Sequence, residues 1–553
     1  MATITSTQSG NFEDTSTWAG GAVPVDGDAF VIAASHQVII ANGQTVSQPA
    51  NGFHDSKIDG ILKMVGLNST THAILKMNGR LYINENGTLW NRPFSSILFK
   101  GATNDTHGLF QENQAYSNWI AEGNDGMIST TLTQAYNAGT HVFAVDNGTK
   151  FKPGEWISVF DNTGKGKRSN HDWHVHYCDE GFWIHDINSN NIYFKRFVGP
   201  EDVTISAASG TTLTLSNAKK FSVGQKVIFG TGNNRNVSSI SATDYSKNQV
   251  TIADNLVGTI SAGTGIFYTG SEKHHVDNSK VRKVAAVTTS ASNAGTNTIN
   301  ISHPMLFEAG DEIWIEARSE CGASAGVADT DDINESTYNA VHTISSIDLS
   351  GAPTYVITLS SNLPYNVVEG ALVTRLTRDI VVGAQTLGTD KPYYYLEHVG
   401  NYSRKLILKD VYFRGVCSSN NNVYSGTTFR GYASTNDGAN GDGGDKDGND
   451  WNANTSALPV SVSIEYQKHD QSPWIEGISA WFNSDGYARD HSGFWLWDAR
   501  GFRIRCGTVI RSRDGLHGYW DPDQAYYNCI VAESRYRGIR AEGHHDRTEY
   551  AYC

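Results

Sequence analysis

Long apolar runs are missing from this 553-residue sequence, and no stretch approaches the length of a membrane-spanning helix, so membrane insertion is not expected. The start, Met1 to Trp18, holds no basic segment followed by an apolar one, so export by an ordinary signal is not expected either. Basic charge is in short supply. The 43 Lys and Arg stand against 57 Asp and Glu, and the net charge of −14 repels nucleic-acid phosphates and anionic membranes. Six cysteines, at 178, 321, 417, 506, 529 and 553, are too scattered for a disulfide framework and form no CxxC pair. Stability must come from packing and backbone ladders. Only 12 prolines occur, whereas glycine (55 residues) and aromatics (11%) are plentiful, which favours many short strands joined by tight turns. The chain reads as all-β.

Three segments differ in pattern. Within residues 1–125, alternation in Leu75-x-Met77 and Leu81-x-Ile83 marks half-buried strands, with Gly60, Gly79 and Gly87 at turns that call for a positive φ. This reads as a β-roll-like module. Trp18, Val23-Pro24, Gly27-Asp28, Gly43 and Val46, with the later spaced glycines, resemble the G8 domain. That glycine-named family occurs in fibrocystin-like proteins and in animal cell-surface proteins linked to hyaluronan.

Residues 126–385 hold a repeat. Phe143-x-Val145 followed by Phe151, Gly154, Ile157 and Val159 recurs with the same spacing as Leu213-x-Leu215 followed by Phe221, Gly224, Val227 and Phe229. It recurs again as Ile299-x-Ile301 followed by Phe307, Gly310, Ile313 and Ile315. Looser copies, Ile252 to Gly263 and Leu359 to Gly370, read as partners with a lengthened turn. Each copy predicts a strand, a glycine turn and a second alternating strand, and so small β-barrel or β-roll modules. The run from Gly310 through Leu359 to Ile380 also resembles the segment joining the G8 domain to a β-helix in the hyaluronan-linked proteins.

Residues 386–553 read as a parallel β-helix. Gly493, Gly515 and Gly538 recur every 22–23 residues. A second ladder, Phe502/Ile504/Cys506, Ala525/Tyr527/Cys529 and Thr548/Tyr550/Tyr552, recurs every 23, as one coil per repeat requires. The chain stops at Cys553 within a coil, leaving an open strand edge, so the polypeptide is expected to continue.

With Phe494/Leu496, Leu516/Gly518 and Ile539/Ala541 facing inward, alternation sends Trp495, Trp497, His517, Tyr519, Arg540 and Glu542 outward as one patch. Aromatic planes beside charged groups suit a sugar. Cover by a loop, a neighbouring module or another subunit is the competing reading of the tryptophans. Asp498, Asp521 and Glu542 lie near this face and are the candidates for an acid–base pair, hydrolytic or lytic, although acidic turn residues are common in such folds. Cys506 and Cys529 read as a buried ladder rather than a disulfide.

Two metal-type clusters stand apart. Asp442, Asp445, Asp447, Asn449 and Asp450, within 437–450, supply closely spaced oxygen ligands suited to Ca²⁺, with a solvated acidic insertion as the alternative. His171, His174 and His176 have a spacing that suits a transition metal, with a wet histidine loop as the alternative.

Three functional readings follow. The opening residues resemble those of G8-containing structural proteins of phages. That implies a virion surface appendage, a tail fibre or tailspike assembled in the host cytoplasm as a homotrimer beside other virion proteins and recognising host polysaccharide. The hyaluronan-linked proteins imply an extracellular polysaccharide-binding or polysaccharide-degrading enzyme. The third reading is a non-enzymatic cell-surface architectural protein.

Overall fold

A computed structural model describes residues 2–553 apart from 161–178, 317–340, 417–426, 433–473 and shorter stretches. The described residues are all-β, with 54% of them in strands and 4% in short helical turns. Parallel strands build three sheets of ten, ten and eight members, here sheets 1, 2 and 3. Successive coils place one strand in each sheet in turn, as with Arg80–Ile83, Thr88–Asn91 and Ser95–Phe99.

Residues from both ends of the sequence occupy the same sheets. Ser95–Phe99 pairs with Ile380–Ala384, Gly108–Gln111 with Tyr393–Val399, and Asn118–Glu122 with Leu406–Lys409, all parallel. The two outer segments of the sequence, 1–125 and 386–553, therefore share one run of coils and one apolar core from Phe12 to Cys529. Strand alternation reports which face of a strand is apolar, but not which distant strand meets its edge. Trp18 packs edge-on against Phe12 and Phe30, with centroids 4.8 and 6.3 Å away, and its indole N–H donates to Phe12 O at 2.6 Å. It thereby closes the core beside the first coil. Gly60 and Gly87 do not adopt a positive φ as expected. They are glycine because an added Cβ would lie 2.3 Å from Ala33 O and 1.9 Å from Ile58 O respectively, backbone atoms of the preceding coil.

The second ladder is corrected by one residue. Ile504 pairs with Tyr526, and Tyr526 with Tyr550, so Ala525 and Tyr527 lie on the face away from the core. A period of 2 makes any one-residue slip invert the faces. Cys506 and Cys529 are both free and buried, but they do not stack. Cys529 belongs to the coil core, whereas Cys506 packs with the insertion described next.

Between Asn118–Glu122 in sheet 2 and Ile380–Ala384 in sheet 3 the chain leaves the coils and forms three six-stranded units of one topology. The middle unit, Thr204–Ser209 to Thr264–Tyr268, is a closed barrel. The first unit has the same strand order, but the whole barrel is inserted between its fifth strand, Asn191–Arg196, and its sixth, Lys280–Val287. Lys280–Val287 then serves as the first strand of the third unit, which ends at Leu372–Arg375. Isolated bridges Leu132–Val145 and Thr288–Ile301 join the two ends of the outer units.

The three strict sequence copies fall at equivalent places in the three units. Gly154, Gly224 and Gly310 take φ values of 87°, 87° and 93° at the turn, and each amide donates 2.8 Å to the carbonyl of Ile184, Ile240 or Ile344. The looser copies are the second halves of two units, and Gly263 and Gly370 take the same conformation. The residue after each strict glycine accepts a turn amide: Glu155 from Lys152, Gln225 from Ser222 and Asp311 from Glu308. In the outer units this carboxylate also meets a buried cation of the sixth strand, Lys283 at 2.8 Å and Arg375 at 2.8 Å.

The insertion covers the outer side of sheet 3. Tyr412, Trp481, Ile510 and Ile530 share a core with Ile313, Val341 and Leu372 of the third unit. Polar contacts lock the same junction. Arg282, fully buried, donates to Glu476 Oε1 at 2.6 Å and to Asp410. Lys280 Nζ reaches Glu476 at 2.7 Å, and Arg378 Nε donates to Gly477 O at 2.9 Å. Burial holds the Arg378 guanidinium down to about 10. Further out, Arg414 and Tyr412 hold Glu312, Arg505 holds Asp179 at 2.8 Å, and Asn528 bonds both Trp156 and Ser158. Asp410, Gly477, Cys506 and Asn528 all adopt φ between 53° and 66° at the corner from sheet 2 to sheet 3. One backbone device thus aims four successive described coils at the insertion.

Gly477 is the tightest of these points, since an added Cβ would sit 2.1 Å from Arg282 Nη2 and 2.5 Å from Asp410 Oδ1. Gly477→Ala is expected to lower the unfolding free energy by about 3 kcal/mol or more, because it disturbs a buried ion pair. Chemical denaturation reads the loss, and an unchanged midpoint would show that Arg282 is not fixed.

His342, buried near the Tyr365 hydroxyl, has its pKa lowered by desolvation from 6.5 to about 4. The unfolded chain then binds the extra proton first as pH falls. The stability due to the neutral ring is full above pH 6.5 and is lost progressively down to pH 4, by about 3 kcal/mol in total. Subtracting the pH profile of His342→Gln from the native profile should show this slope, and parallel profiles would refute it.

Candidate functional site

Sheet 1 carries the sequence-predicted patch. Phe494 and Leu516 are fully buried in the coil core. The intervening positions therefore belong to the opposite face. Trp495 pairs with His517 and His517 with Arg540, while Trp497 pairs with Tyr519 and Tyr519 with Glu542. The six residues predicted from sequence thus occupy two in-register columns over three coils, Ser492–Trp497, Asp514–Tyr519 and Arg537–Glu542. Adjacent strands lie about 4.8 Å apart, and positions two apart along a strand about 6.6 Å, so the array is roughly 10 Å by 7 Å between outermost backbone positions. Ile539, on the core-facing register, is 42% exposed.

Both columns run further than the sequence pattern disclosed. The first continues back through Thr428, Tyr395, Phe110 and Tyr82 to Lys57. The second continues through Arg430 to Glu397. From Lys57 to Arg540 the first column spans eight coils, and it draws residues from both outer segments of the chain. Sequence reasoning missed Lys57, Tyr82, Phe110 and Tyr395. The alternating strand Arg80–Ile83 placed Tyr82 opposite Leu81, but no spacing rule joins residue 110 to residue 395 across an insertion of some 250 residues.

Side-chain geometry is defined in the early part of this face. Tyr82 and Phe110 rings lie 5.4 Å apart at 30°. The Arg80 guanidinium sits 5.5 Å from the Tyr82 ring and 5.8 Å from the Phe110 ring, and its Nε donates to Asp55 Oδ1 at 3.1 Å. On sheet 2 a comparable pairing sets Lys63 Nζ 4.7 Å over Trp90.

Among the described residues, the insertion bonds to the coils at Asp410, Tyr412, Arg414, Glu476, Gly477, Ser479, Arg505 and Asn528. All eight lie in sheets 2 and 3 or at the corner between them, not in sheet 1.

Of the three candidate acid–base residues, Glu542 lies on Arg537–Glu542 beside Tyr519, while Asp498 and Asp521 fall outside the described residues. The calcium-type residues Asp442, Asp445, Asp447, Asn449 and Asp450 also fall outside them, as do His171, His174 and His176. Among the described residues no group of three or more His, Cys, Asp or Glu is placed to hold a metal ion, and no helix is long and apolar enough to cross a membrane. No protein-family model matches the chain, and no curated protein matches it.

Burial pushes the Cys506 thiol up to about 12 and raises that of Cys529 as well, so both stay protonated and unreactive at neutral pH. Alkylation of the native protein followed by peptide mapping should leave Cys506 and Cys529 unlabelled while the exposed Cys553 reacts. Labelling of all three at one rate would refute this burial.

Proposed function

We propose that the chain is a virion surface appendage that recognises host polysaccharide through sheet 1, its run of coils being a parallel β-helix that begins in a G8-like region. The observation that carries the sugar reading is the pair of in-register columns Trp495–His517–Arg540 and Trp497–Tyr519–Glu542. Aromatic rings stack on the C–H faces of sugars, and Arg, His and Glu hydrogen-bond hydroxyls, so a repeating wall of this composition suits a repeating ligand. Among the described residues the insertion's bonds fall on sheets 2 and 3 and the corner between them, which supports the same face. The virion reading rests on the resemblance of the opening residues to phage G8-containing structural proteins, which also underlies the expectation of a homotrimer. Polysaccharide cleavage needs a carboxylate pair across the bound chain, and Glu542 is the one candidate acid that falls within a column.

A glycan array on the intact protein, with reducing-end release assayed on every hit, tests the reading. Trp495→Ala and Trp497→Ala should each weaken binding about three- to tenfold with an unchanged melting temperature. Equal retention of native and variant proteins on polysaccharide affinity gels would refute the face. Release of reducing ends would make the protein an enzyme, with Glu542→Gln as the first variant to lose it.

A further inference from the structure

We infer that the binding face continues into the early coils as a second subsite, built on Arg80, that takes the carboxylate of an acidic sugar residue. This rests on the reading of sheet 1 as the polysaccharide face. Tyr82 stands in the same register column as Trp495, and Arg80 lies two residues before Tyr82 on the same face of the same strand.

The Arg80 side chain is held as a presented group rather than as half of a closed pair. Its Cζ lies near the Tyr82 and Phe110 rings, and Asp55, which precedes the Ser56 that pairs with Leu81, takes only Nε. Among the described residues no hydrogen bond takes up Nη1 or Nη2, and the side chain is 35% exposed. On the other side its register partner is Gly108, which brings no side chain to compete for the guanidinium.

Those two terminal nitrogens offer the planar donor edge that a carboxylate accepts through two parallel hydrogen bonds. The neighbouring rings and the Asp55 bond already restrict a long side chain, so a ligand meets less of the entropy cost of fixing it. Lys57, exposed and in register with Tyr82, adds a second cation. With Asp55 the cluster carries a net charge of +1, against −14 for the whole chain. The charge suits an anion there, and the strand register places Tyr82 and Trp495 in one column of sheet 1.

The test is a glycan array in which hits are sorted by whether they carry a carboxylate, followed by titration of the tightest acidic hit and of its carboxyl-reduced form. The expected result is that hits are acidic, that carboxyl reduction weakens binding, and that Arg80→Gln loses about tenfold on the acidic polymer but little on the reduced one. Arg80→Lys, which keeps the charge without the planar fork, should fall between, and both variants should keep the native melting temperature. Neutral hits, or an Arg80→Gln variant that binds as the native protein does while Trp495→Ala is impaired, would overturn the subsite and leave the binding face standing. No glycan binding by the native chain, or unimpaired Trp495 and Trp497 variants, would overturn both.

Discussion

Arg282 is the point on which the architecture turns. It lies on Lys280–Val287, the strand shared by two barrel units, and its guanidinium is buried against Asp410 and Glu476 of the coils. A buried pair of this kind adds little net stability over a well-packed apolar contact, because desolvation offsets the Coulomb gain. Its effect is positional. An arginine fork with two carboxylate partners tolerates one placement, whereas apolar surfaces slide. The same strand also supplies Lys283 to Glu155, so the fit of the first unit and its docking to the coils are fixed by side chains one residue apart.

The nested units show how one topology serves different environments. Glu155, Gln225 and Asp311 occupy one turn position, but only the two acids have a buried cation opposite. The middle barrel has neutral Gln225 there, and Val227 pairs with Tyr268 where Ile157 and Ile313 pair with Lys283 and Arg375. The charged versions belong to the two units that share Lys280–Val287 and bond to the coils. The middle barrel instead bonds to the first unit, through Arg235 to Asp186 and Thr269 to the carbonyl of Phe194. Turn geometry is repeated throughout, and buried charge appears in the units that must be oriented.

Much of this was legible in the sequence. The all-β class, the three-copy repeat and the 22–23-residue period follow from local spacing, and the strand register sets Trp495/Trp497, His517/Tyr519 and Arg540/Glu542 side by side as that spacing expects. The second ladder failed because Ile504, Tyr526 and Tyr550 repeat at unequal intervals, so a fixed period chose Tyr527 and the wrong face. The union of the two outer segments was illegible because it depends on edges, such as Phe110 against Tyr395, that no periodicity connects. The part of the candidate site built on Arg80 was hidden for the same reason. Its chemistry lies in contacts between Asp55, Arg80, Tyr82 and Phe110 on three successive coils, and only one of those pairs shares a strand.

The insertion opens between the second and third strands of a single coil, which sets an order on how the chain can assemble. Glu122 must wait for residue 380 to be synthesised before its own coil can close. Meanwhile the barrel units can form from contacts within their own few dozen to about 150 residues. Asn528 joins Trp156 only across 372 residues, so the last locking contacts are also the most distant in sequence. The barrel units precede the later coils in the sequence, so each later coil has, at its corner, partners that were synthesised before it.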